Sequence, residues 1–222
     1  MMLGILQARM SSTRLPGKVV KPLLGRPMLL RQLERIMRAD RLDGLVVATS
    51  VDPSDDEIEQ VCEEAGFSVF RGSLDDVLDR YYCAALHFGA NDIVRLTGDC
   101  PLSDPELIDA IITYYKNGNY DYASNTISPT YPDGLDVEVF GFAPLERTWK
   151  EAQLPSEREH VTPYMKKGEL FAVSNFADAV NRSHMRWTVD EPEDLAFVQA
   201  VYENLYHVDP HFTSEDVFQF LE

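Results

Sequence analysis

The fold of this chain is decided by residues 2–18, which read MLGILQARMSSTRLPGK. The first five form an apolar run with the length of a buried strand, and most of the others are small, polar, basic or turn-forming residues. Apolar runs of strand length alternate along the rest of the chain with segments of helical periodicity. This alternation is typical of an α/β protein with a parallel sheet, in which ligands bind beyond the carboxyl ends of the strands. The loop after Leu6 is therefore the first candidate binding site.

The same patterns predict the other strands and helices. In the first half we expect strands at 44–49, 67–70 and 92–96, and helices at 27–39, 54–66, 74–88 and 105–116. Ser54 and Glu57 have the spacing of a capping box, which predicts the start of the second helix. In the second half we expect strands at 120–124, 136–142, 170–174 and 185–189, and helices at 144–152, 158–167, 192–206 and 214–221. Because no repeat or linker divides the chain, residues 1–222 are predicted to form one domain with an antiparallel insertion.

Composition limits the classes of function. The chain has 222 residues, 45% of them apolar, which is enough for a core without disulfides or a structural metal. Its formal net charge of −17 argues against a nucleic-acid-binding protein, whose affinity comes from cations on phosphates. Three cysteines without C-x-x-C spacing predict a reducing compartment. Because Arg9 interrupts the opening apolar residues, we predict neither a signal peptide nor a membrane anchor, and expect a cytoplasmic protein without nucleic-acid or membrane partners.

The loop at residues 7–18 concentrates groups that bind phosphate in an otherwise acidic chain. Guanidinium groups chelate phosphoryl oxygens, a lysine adds a mobile charge, and Gly17 lets backbone amides approach. The loop lacks the G-x-x-x-x-G-K-[ST] pattern of a Walker A motif. It predicts a polyphosphate site, with a solvated basic loop as the alternative. Its candidate residues are Arg9, Ser11, Ser12, Thr13, Arg14 and Lys18.

Two aspartates follow predicted strands at the same edge of the sheet. Asp99 lies in the motif LTGDCP at residues 96–101, and Asp190 lies in RWTVDEPED at residues 186–194. Taken alone, Asp99 is also explained as a turn residue and Asp190 as a helix N-cap. Taken together beside a basic loop, they predict a magnesium and polyphosphate site, because Mg²⁺ binds one or two carboxylates together with phosphate oxygens and water.

The sequence resembles the cytidylyltransferase family that contains the spore-coat polysaccharide proteins of SpsF type. The resemblance lies in the motifs M-x-G-I-L-Q-A-R-M-S-S-T-R-L-P-G-K, L-T-G-D-C-P and W-T-V-D-x-P-E-D-L, and runs from Met2 to about Val198. More distantly, the chain is similar to CMP-sialic acid and CMP-3-deoxy-manno-octulosonate synthetases. The resemblance implies the nucleotide-diphospho-sugar transferase (GT-A-like) fold, an α/β Rossmann-like mixed sheet flanked by helices. It also implies a homodimer that uses Mg²⁺ to transfer CMP from CTP to a sugar-type acceptor, in cell-surface polysaccharide biosynthesis.

The resemblance further assigns residues to roles. Asp99 and Asp190 would hold the metal, and Arg14 and Lys18 would act catalytically on the leaving pyrophosphate. The loop differs from the A-R-x-G-S-K pattern of the sialic acid enzymes, which leaves the acceptor sugar open. The nucleotide would be bound by Leu6 and Ala8 at the base, by Arg9, Ser11, Arg14 and Lys18 at the triphosphate, and by Thr97 in the LTGDCP motif.

An acceptor site is expected around residues 125–175, a smaller insertion that would also serve dimerisation. Asp136 and Glu138 share one side of a predicted strand, with Asp133 on the turn before it. These carboxylates are candidates for sugar hydroxyls, with a solvated edge strand as the alternative. Two more acceptor candidates, for an anionic group, are Arg158 and His160, although His160 is also explained as an ordinary surface residue.

Arg71, which follows the third strand, is assigned to the nucleotide, with a solvated turn residue as the alternative. The helix at 74–88 is assigned to the core, and no general base is assigned. Two other functions fit the same architecture. A glycosyltransferase would carry a D-x-D motif, of which TGDCP holds only Asp99. A non-catalytic nucleotide-binding scaffold would not need the intact set of Arg14, Lys18, Asp99 and Asp190.

Overall fold

The strands of the computed structural model, which describes residues 1–167 and 169–222, form one large mixed sheet and one small hairpin. In chain order they are β1 (Met2–Gln7), β2 (Pro22–Leu23), β3 (Arg26–Pro27), β4 (Gly44–Ser50), β5 (Ser68–Gly72), β6 (Asp92–Thr97), β7 (Tyr122–Ser124), β8 (Glu138–Gly141) and β9 (Val173–Asn175). The large sheet has the order β5-β4-β1-β6-β8-β7-β9, and β2 pairs with β3. Strand β8 runs antiparallel to β6 and β7, while β5, β4, β1 and β6 are parallel.

Helices cover both faces of the large sheet. They are α1 (Met28–Ile36), α2 (Asp56–Glu64), α3 (Val77–Phe88), α4 (Pro105–Gly118), α5 (Phe142–Glu151), α6 (Pro155–His160), α7 (Pro192–Leu205) and α8 (Ser214–Leu221). One apolar cluster contains side chains of α1, α4 and α7, and a second contains side chains of α3 and α5. Strand β1 contributes Leu6 to the first and Leu3 and Ile5 to the second. Because both of its faces are buried, this strand has an unbroken apolar sequence.

The strands β1 and β6 end side by side at the carboxyl edge of the sheet. Gln7 pairs in parallel register with Thr97, so the loops after the two strands start next to each other. Gly98 permits this close approach, because a Cβ atom there would lie 3.0 Å from the carbonyl oxygen of Gln7 and 3.1 Å from the Cβ of Ala8. The basic loop and the LTGDCP motif therefore face the same space.

The strand predicted at 185–189 is wrong. Within the described part of the chain these residues form a single β-bridge, at Arg186. Their position is fixed instead by the amide of Val189, which donates to the carbonyl of Asp99 at 2.8 Å. This contact brings Asp190 to the same edge as Asp99, so the carboxylates meet without a strand between them.

Other local predictions also differ from the structure. The helix predicted at 158–167 is α6, which ends at His160, where Val161 takes a left-handed φ of +69°. Ser54 does not cap α2, because the side chain of Asp52 accepts the amide of Ser54 and caps a short 3₁₀ turn ahead of that helix. The hairpin of β2 and β3 was not predicted. The remaining predicted strands and helices are confirmed, with their ends shifted by a few residues.

Residues 125–175 contribute β8 to the interior of the large sheet and β9 to its edge, together with α5 and α6. The acceptor-binding and dimerisation roles of this segment stay predictions. Among the described residues, no helix combines the length and the apolar character needed to cross a bilayer.

Candidate active site

A cavity of about 270 Å³, here named the main cavity, opens at the carboxyl edge between the loops that follow β1 and β6. Helices α3 and α6 and the segment before α7 also contribute to its walls. It is lined by Gln7, Ala8, Arg9, Ser11, Ser12, Thr13, Arg14, Lys18, Val19, Val77, Arg80, Thr97, Gly98, Asp99, Glu159, His160 and Asp190. The cavity thus brings together the basic loop and both predicted metal ligands, along with one predicted acceptor residue, His160.

Lys18 makes the central contacts of the main cavity. Its ammonium group donates to the carbonyl of Val189 at 2.6 Å, and lies 2.9 Å from Oδ1 of Asp190 and 3.1 Å from Oδ2 of Asp99. The side chain of Lys18 is 10% exposed, whereas those of Asp99 and Asp190 are 30% and 24% exposed. A nearly buried cation therefore neutralises two carboxylates that still reach solvent, which leaves them open to a ligand.

Asp190 is surrounded by positive charge. Its Oδ2 lies 2.7 Å from Arg14 and 3.0 Å from Arg186, and its Oδ1 contacts Lys18. Burial by itself raises the pKa of Asp190, but the bond from Lys18 and the charges of all three cations outweigh burial, so the pKa is lowered. The carboxylate is therefore ionised near neutral pH. It does not cap α7, whose N-cap is Glu191.

The pair Asp99 and Asp190 fits a divalent cation by the chemistry of its donors. Mg²⁺ is typically held by one or two carboxylates, and phosphate oxygens and water complete its coordination. No group of three or more histidine, cysteine or acidic side chains suited to a metal occurs in the described residues. The two carboxylates would therefore hold a divalent cation only together with oxygens from a bound polyphosphate and from water.

Arg80 is a cavity residue that the sequence analysis missed. It belongs to α3, where Val77, Arg80, Tyr81 and Ala84 recur at helical spacing and are all buried. Its Nη1 donates to the carbonyl of Ser73 at 3.1 Å, while its Nε is buried and has no hydrogen-bond partner in the described part of the chain. The sequence did hold a signal for Arg80, which is a charged residue on the apolar face of a helix. Such a position is informative because an unpaired charge is rarely buried without a function. The core role predicted for this helix is confirmed at Tyr81.

A second cavity of about 190 Å³, here named the side cavity, adjoins the main cavity. Thr97 and His160 line both cavities and form their common wall. The other residues of the side cavity come from β6, β8, the loop between β7 and β8, and the turn after α6. They are Arg95, Thr126, Asp136, Glu138, Thr162, Pro163 and Lys166.

Glu138 lines the side cavity, but its carboxylate is already occupied by the protein. One oxygen accepts from Tyr122 at 2.6 Å, from Thr162 at 2.8 Å and from Lys166 at 2.9 Å, and the other accepts from Arg95. Burial raises the pKa of Glu138, but Arg95 and Lys166 more than offset it and hold the pKa at about 2. The expectation that Glu138 binds an acceptor hydroxyl is therefore corrected: its contacts are those of a structural ion pair.

Asp136 differs from Glu138, although both were predicted on the same side of one strand. Its carboxylate has no hydrogen-bond or ion-pair partner among the described residues, and it keeps contact with solvent. The protein packed around it raises the pKa of Asp136 to about 6, and the charges of Asp133, Glu138 and Asp99 act in the same direction. Asp136 is thus a free carboxylate that titrates close to neutral pH.

Two residues predicted to bind the nucleotide do not line either cavity. Leu6 is fully buried in the core. Arg71 points away from the site, where its guanidinium group donates to the carbonyl of Ser50 at 2.8 Å and lies 2.7 Å from both Asp56 and Glu59. Its contacts support the loop after β4, which corrects the assignment of Arg71 to the nucleotide.

Two predicted acceptor residues also lie outside the cavities. Arg158 makes an ion pair of 2.6 Å with Asp76 and donates to the carbonyl of Trp149 at 2.7 Å, which ties α6 to α5 and to the start of α3. The carbonyl of Asp133 accepts the amide of Trp187 at 2.6 Å, which holds the segment before α7 in place. Arg158 is therefore not brought to the acceptor side of the site, and that expectation is corrected. Burial raises the pKa of Asp133, and the nearby charges of Asp99 and Asp190 add to this, so its carboxylate lies near the site and its acceptor role stays a prediction.

The mixed sheet, with a basic loop and paired aspartates at its carboxyl edge, defines a nucleotidyltransferase. Comparison with known families narrows this class. The model of the cytidylyltransferase family matches residues 3–208, nearly the whole chain. The chain belongs to the cytidylyltransferase family, as its motifs predicted.

Two relatives cover most of the chain. The spore coat polysaccharide biosynthesis protein SpsF of Bacillus subtilis is 36% identical over 209 residues, which are 90% of this chain and 86% of SpsF. A solved cytidylyltransferase from Leptospira borgpetersenii is 34% identical, with a TM-score of 0.93 over 99% of this chain and 93% of that one. These relatives confirm the predicted family and the mixed α/β fold.

More distant solved structures share the fold alone. A CMP:2-keto-3-deoxy-manno-octonic acid synthetase, solved with CTP, is 19% identical, with a TM-score of 0.72 over 91% of this chain and 98% of that one. The protein Rv0371c of Mycobacterium tuberculosis, solved in complex with manganese, is 18% identical, with a TM-score of 0.61 over 90% of this chain and 98% of that one. The fold is therefore shared by proteins solved with a nucleotide or with a divalent cation.

Proposed function

We propose that this enzyme transfers CMP from CTP to a sugar-type acceptor and releases pyrophosphate, with Mg²⁺ as its cofactor. The observation that carries the proposal is the meeting of the basic loop with Asp99 and Asp190, in a cavity that shares a wall with a second polar cavity. Two adjoining cavities suit a reaction between two substrates. The synthetase solved with CTP supports the nucleotide, and the name of SpsF supports an acceptor used in cell-surface polysaccharide.

The triphosphate is assigned to the basic side of the main cavity. Arg9, Arg14 and Lys18 approach it from the loop, and Arg80 approaches it from α3. A local cluster of this kind attracts a polyanion even though the chain carries a net charge of −17. Because the Nε of Arg80 has no acceptor among the described residues, we assign Arg80 to the nucleotide as well.

Asp99 and Asp190 would hold Mg²⁺, which when bound supplies positive charge to the triphosphate. The manganese in the Rv0371c structure supports a divalent cation in this fold. Lys18 already lies between the two carboxylates, so its charge is positioned before the nucleotide arrives. With Arg14, it would stabilise the charge that develops on the leaving pyrophosphate.

In the reaction, an acceptor oxygen forms a bond to the α-phosphorus of CTP while the bond to pyrophosphate breaks. The acceptor hydroxyl loses its proton, and we assign that proton to Asp136. The carboxylate lines the side cavity, has no protein partner among the described residues, and is ionised above a pH of about 6. His160, which belongs to both cavities, is assigned to the acceptor.

Pyrophosphate release tests the proposal when it is measured across a panel of nucleoside triphosphates, sugar-type acceptors and divalent cations. We expect release with CTP, an acceptor and Mg²⁺ together, and its loss when a chelator removes the cation. Asp99→Asn is the matched variant, because it keeps the size of the side chain and removes the charge that attracts the cation.

Each part of the proposal has its own contrary result. Full turnover without a cation contradicts the metal site, and a preference for another nucleoside triphosphate contradicts CTP. Consumption of a nucleotide sugar identifies a glycosyltransferase, and nucleotide binding without turnover across the panel identifies a scaffold. The homodimer and the cytoplasmic location stay predictions, which light scattering and cell fractionation check.

A further inference from the structure

A third cavity, of about 240 Å³, shares no lining residue with the main or the side cavity. It lies between α1 with the turn after it, and the end of α7 with the loop that follows. We name it the arginine cavity, and no step of the proposed reaction uses it. It is lined by Arg31, Glu34, Arg35, Arg38, Tyr202, Tyr206, Pro210 and His211.

Two of these arginines carry buried donors for which the described residues provide no well-placed acceptor. Arg35 is 3% exposed, and its Nε donates to the carbonyl of Ser103 at 2.8 Å. Among the described residues its Nη1 and Nη2 make no hydrogen bond of good geometry, although the side chain of Tyr202 lies close by. In Arg38 the Nε and Nη2 are buried and likewise have no partner within residues 1–167 and 169–222. In each arginine the two unpaired nitrogens lie on one edge of the guanidinium group. Such an edge has the geometry that binds two oxygens of an oxyanion. Unpaired buried donors are unfavourable, so four of them together indicate a site for an acceptor group.

Arg31 shows that the surroundings are able to satisfy an arginine. It donates to the carbonyls of Leu23 and Leu24 at 3.2 and 3.1 Å, to Glu34 at 3.1 Å and to the hydroxyl of Tyr206 at 2.7 Å. It also stacks 4.5 Å from the centre of the Tyr206 ring. The unpaired donors are therefore a property of the other two arginines and not of the cavity as a whole.

The acidic groups nearby are committed to other partners. Glu34 contacts Arg26 at 2.5 Å and Arg31 at 3.1 Å, one with each oxygen. Asp104 accepts backbone amides at the starts of α4 and α8. In the part of the chain that the structure describes, no carboxylate lies within ion-pair distance of the two unpaired guanidinium groups. An anion from outside the chain is the group that would satisfy them.

We propose that the arginine cavity binds a phosphate-type oxyanion, either free phosphate or the phosphoryl group of an ester. The two guanidinium edges of Arg35 and Arg38 offer four donors and two charges, which match the three or more oxygens and the charge of about −1.5 to −2 of a phosphoryl group at neutral pH. Arg35 stacks 4.2 Å from the ring centre of Phe212, which orients its guanidinium plane. A carboxylate, with two oxygens and one charge, would satisfy only one of the two edges.

Titration calorimetry with inorganic phosphate tests this site in solution. The proteins compared are the wild type, Arg38→Gln and Arg41→Gln, where Arg41 is an exposed residue a few positions along the same segment. Both variants lose one positive charge and leave the main cavity unchanged, so a difference between them reports on the arginine cavity. We expect Arg38→Gln to bind phosphate about tenfold more weakly or worse, as for the loss of charge-assisted hydrogen bonds, and Arg41→Gln to match the wild type.

Melting temperature supplies a second readout. In phosphate-free buffer we expect Arg38→Gln to melt no lower than the wild type, because the substitution removes buried donors that have no partner. In excess phosphate we expect the wild type to melt at the higher temperature, because ligand binding stabilises the folded state. An Arg38→Gln protein that is already destabilised without phosphate would show that Arg38 is structural, and would overturn the proposal.

Selenate, a tetrahedral dianion with an anomalous signal, locates the site in crystals, and a peak between Arg35 and Arg38 is expected. Phenyl phosphate and acetate then define the ligand. Tighter binding of phenyl phosphate identifies an ester, and tighter binding of inorganic phosphate identifies the free ion. The proposal is overturned if acetate binds as well as phosphate, if the calorimetric curves do not differ, or if the crystal peak is an adventitious ion only, without binding in solution. None of these measurements uses CTP, so they are independent of the test of cytidylyl transfer.

Discussion

The main and side cavities share a wall, yet the ion-paired carboxylates in them differ in their access to solvent. In the main cavity, Asp99 and Asp190 share one ammonium group and keep about a quarter to a third of their side-chain surface in solvent. In the side cavity, Glu138 is 4% exposed, and both of its oxygens are filled by protein donors. Both regions pair acids with bases near strand ends. All three carboxylates form ion pairs, so what distinguishes Asp99 and Asp190 from Glu138 is their remaining access to solvent, which leaves them open to a ligand.

The largest effect is expected from Glu138→Gln. This substitution leaves the mostly buried Arg95 and the partly exposed Lys166 without their buried counterion, so unfolding in urea should show a loss of about 3–5 kcal/mol. The control is Glu151→Gln, where an exposed ion pair with Arg147 is removed and little change is expected. If the two variants were equally stable, the structural role of Glu138, and with it the difference between the two cavities, would be contradicted.

The same residue predicts a pH dependence of stability. The pKa of Glu138 in the folded protein, about 2, lies below its ordinary value of 4.5. Its ionised form therefore stabilises the fold at pH above 4.5, and this contribution is lost as the pH falls from 4.5 toward 2. Acid unfolding of the wild type should show this loss, and acid unfolding of Glu138→Gln should lack it.

Lys18→Ala should give the largest loss of activity. Removing one preorganised charge donor typically lowers turnover by about 10²- to 10³-fold, and we expect a decrease in this range in pyrophosphate release at saturating CTP. Some stability should also be lost, because Asp99 and Asp190 then lie near each other without their shared cation. Lys21→Ala, which removes a lysine outside the cavity, is the matched control and should remain active. If Lys18→Ala were nearly as active as the control, Lys18 would have no role in the mechanism.

Asp136→Asn tests the second carboxylate of the side cavity, which unlike Glu138 has no ion-pair partner among the described residues. We expect turnover to fall by about 10²-fold, the lower part of the range for a proton-transfer group, with little change in stability because the carboxylate has no partner among the described residues. The pKa of Asp136 is raised to about 6, so wild-type activity should rise as the pH increases through 6 and this residue loses its proton. In the variant that rise should disappear. If the activity of the variant still rose through pH 6, a group other than Asp136 would be the one that accepts the proton of the acceptor hydroxyl.

The smallest effect is expected from Arg71→Ala. Its guanidinium group contacts Asp56, Glu59 and backbone carbonyls away from both cavities, so turnover should stay within about twofold of the wild type and the melting temperature should fall slightly. Arg14→Ala, which removes an arginine from the main cavity, should be far less active. A large loss of turnover in Arg71→Ala would show that Arg71 does act at the nucleotide.

The sequence predicted those parts of the site that follow from strand ends. Lys18 and Asp99 are placed by the loops directly after two neighbouring parallel strands, so periodicity alone brought them together. Asp190 was also predicted correctly at this edge, although the strand that was expected to carry it does not exist. Its position depends on a backbone contact with Asp99, for which the local sequence holds no signal.

What the sequence did not predict depends on which residues meet in three dimensions. Period two gave Asp136 and Glu138 the same side of a strand, but only Glu138 meets Arg95 and Lys166. Arg80 is on a helix whose spacing indicates a core role, and the arginine cavity needs α1 to meet the end of α7. Such contacts join segments far apart in the chain, which periodicity does not describe.

The contacts of Lys18 also bear on how the enzyme is made. Its ammonium group binds Asp99, Val189 and Asp190, so the cation from the start of the chain needs acceptors from its last sixth. A ribosome has synthesised most of the sheet before Val189 emerges, and until then Lys18 has only one of its three acceptors. The nascent chain thus carries the loop at residues 7–18 long before Lys18 can make all three contacts. The full set of contacts at Lys18 therefore requires the segment before α7 in addition to the sheet.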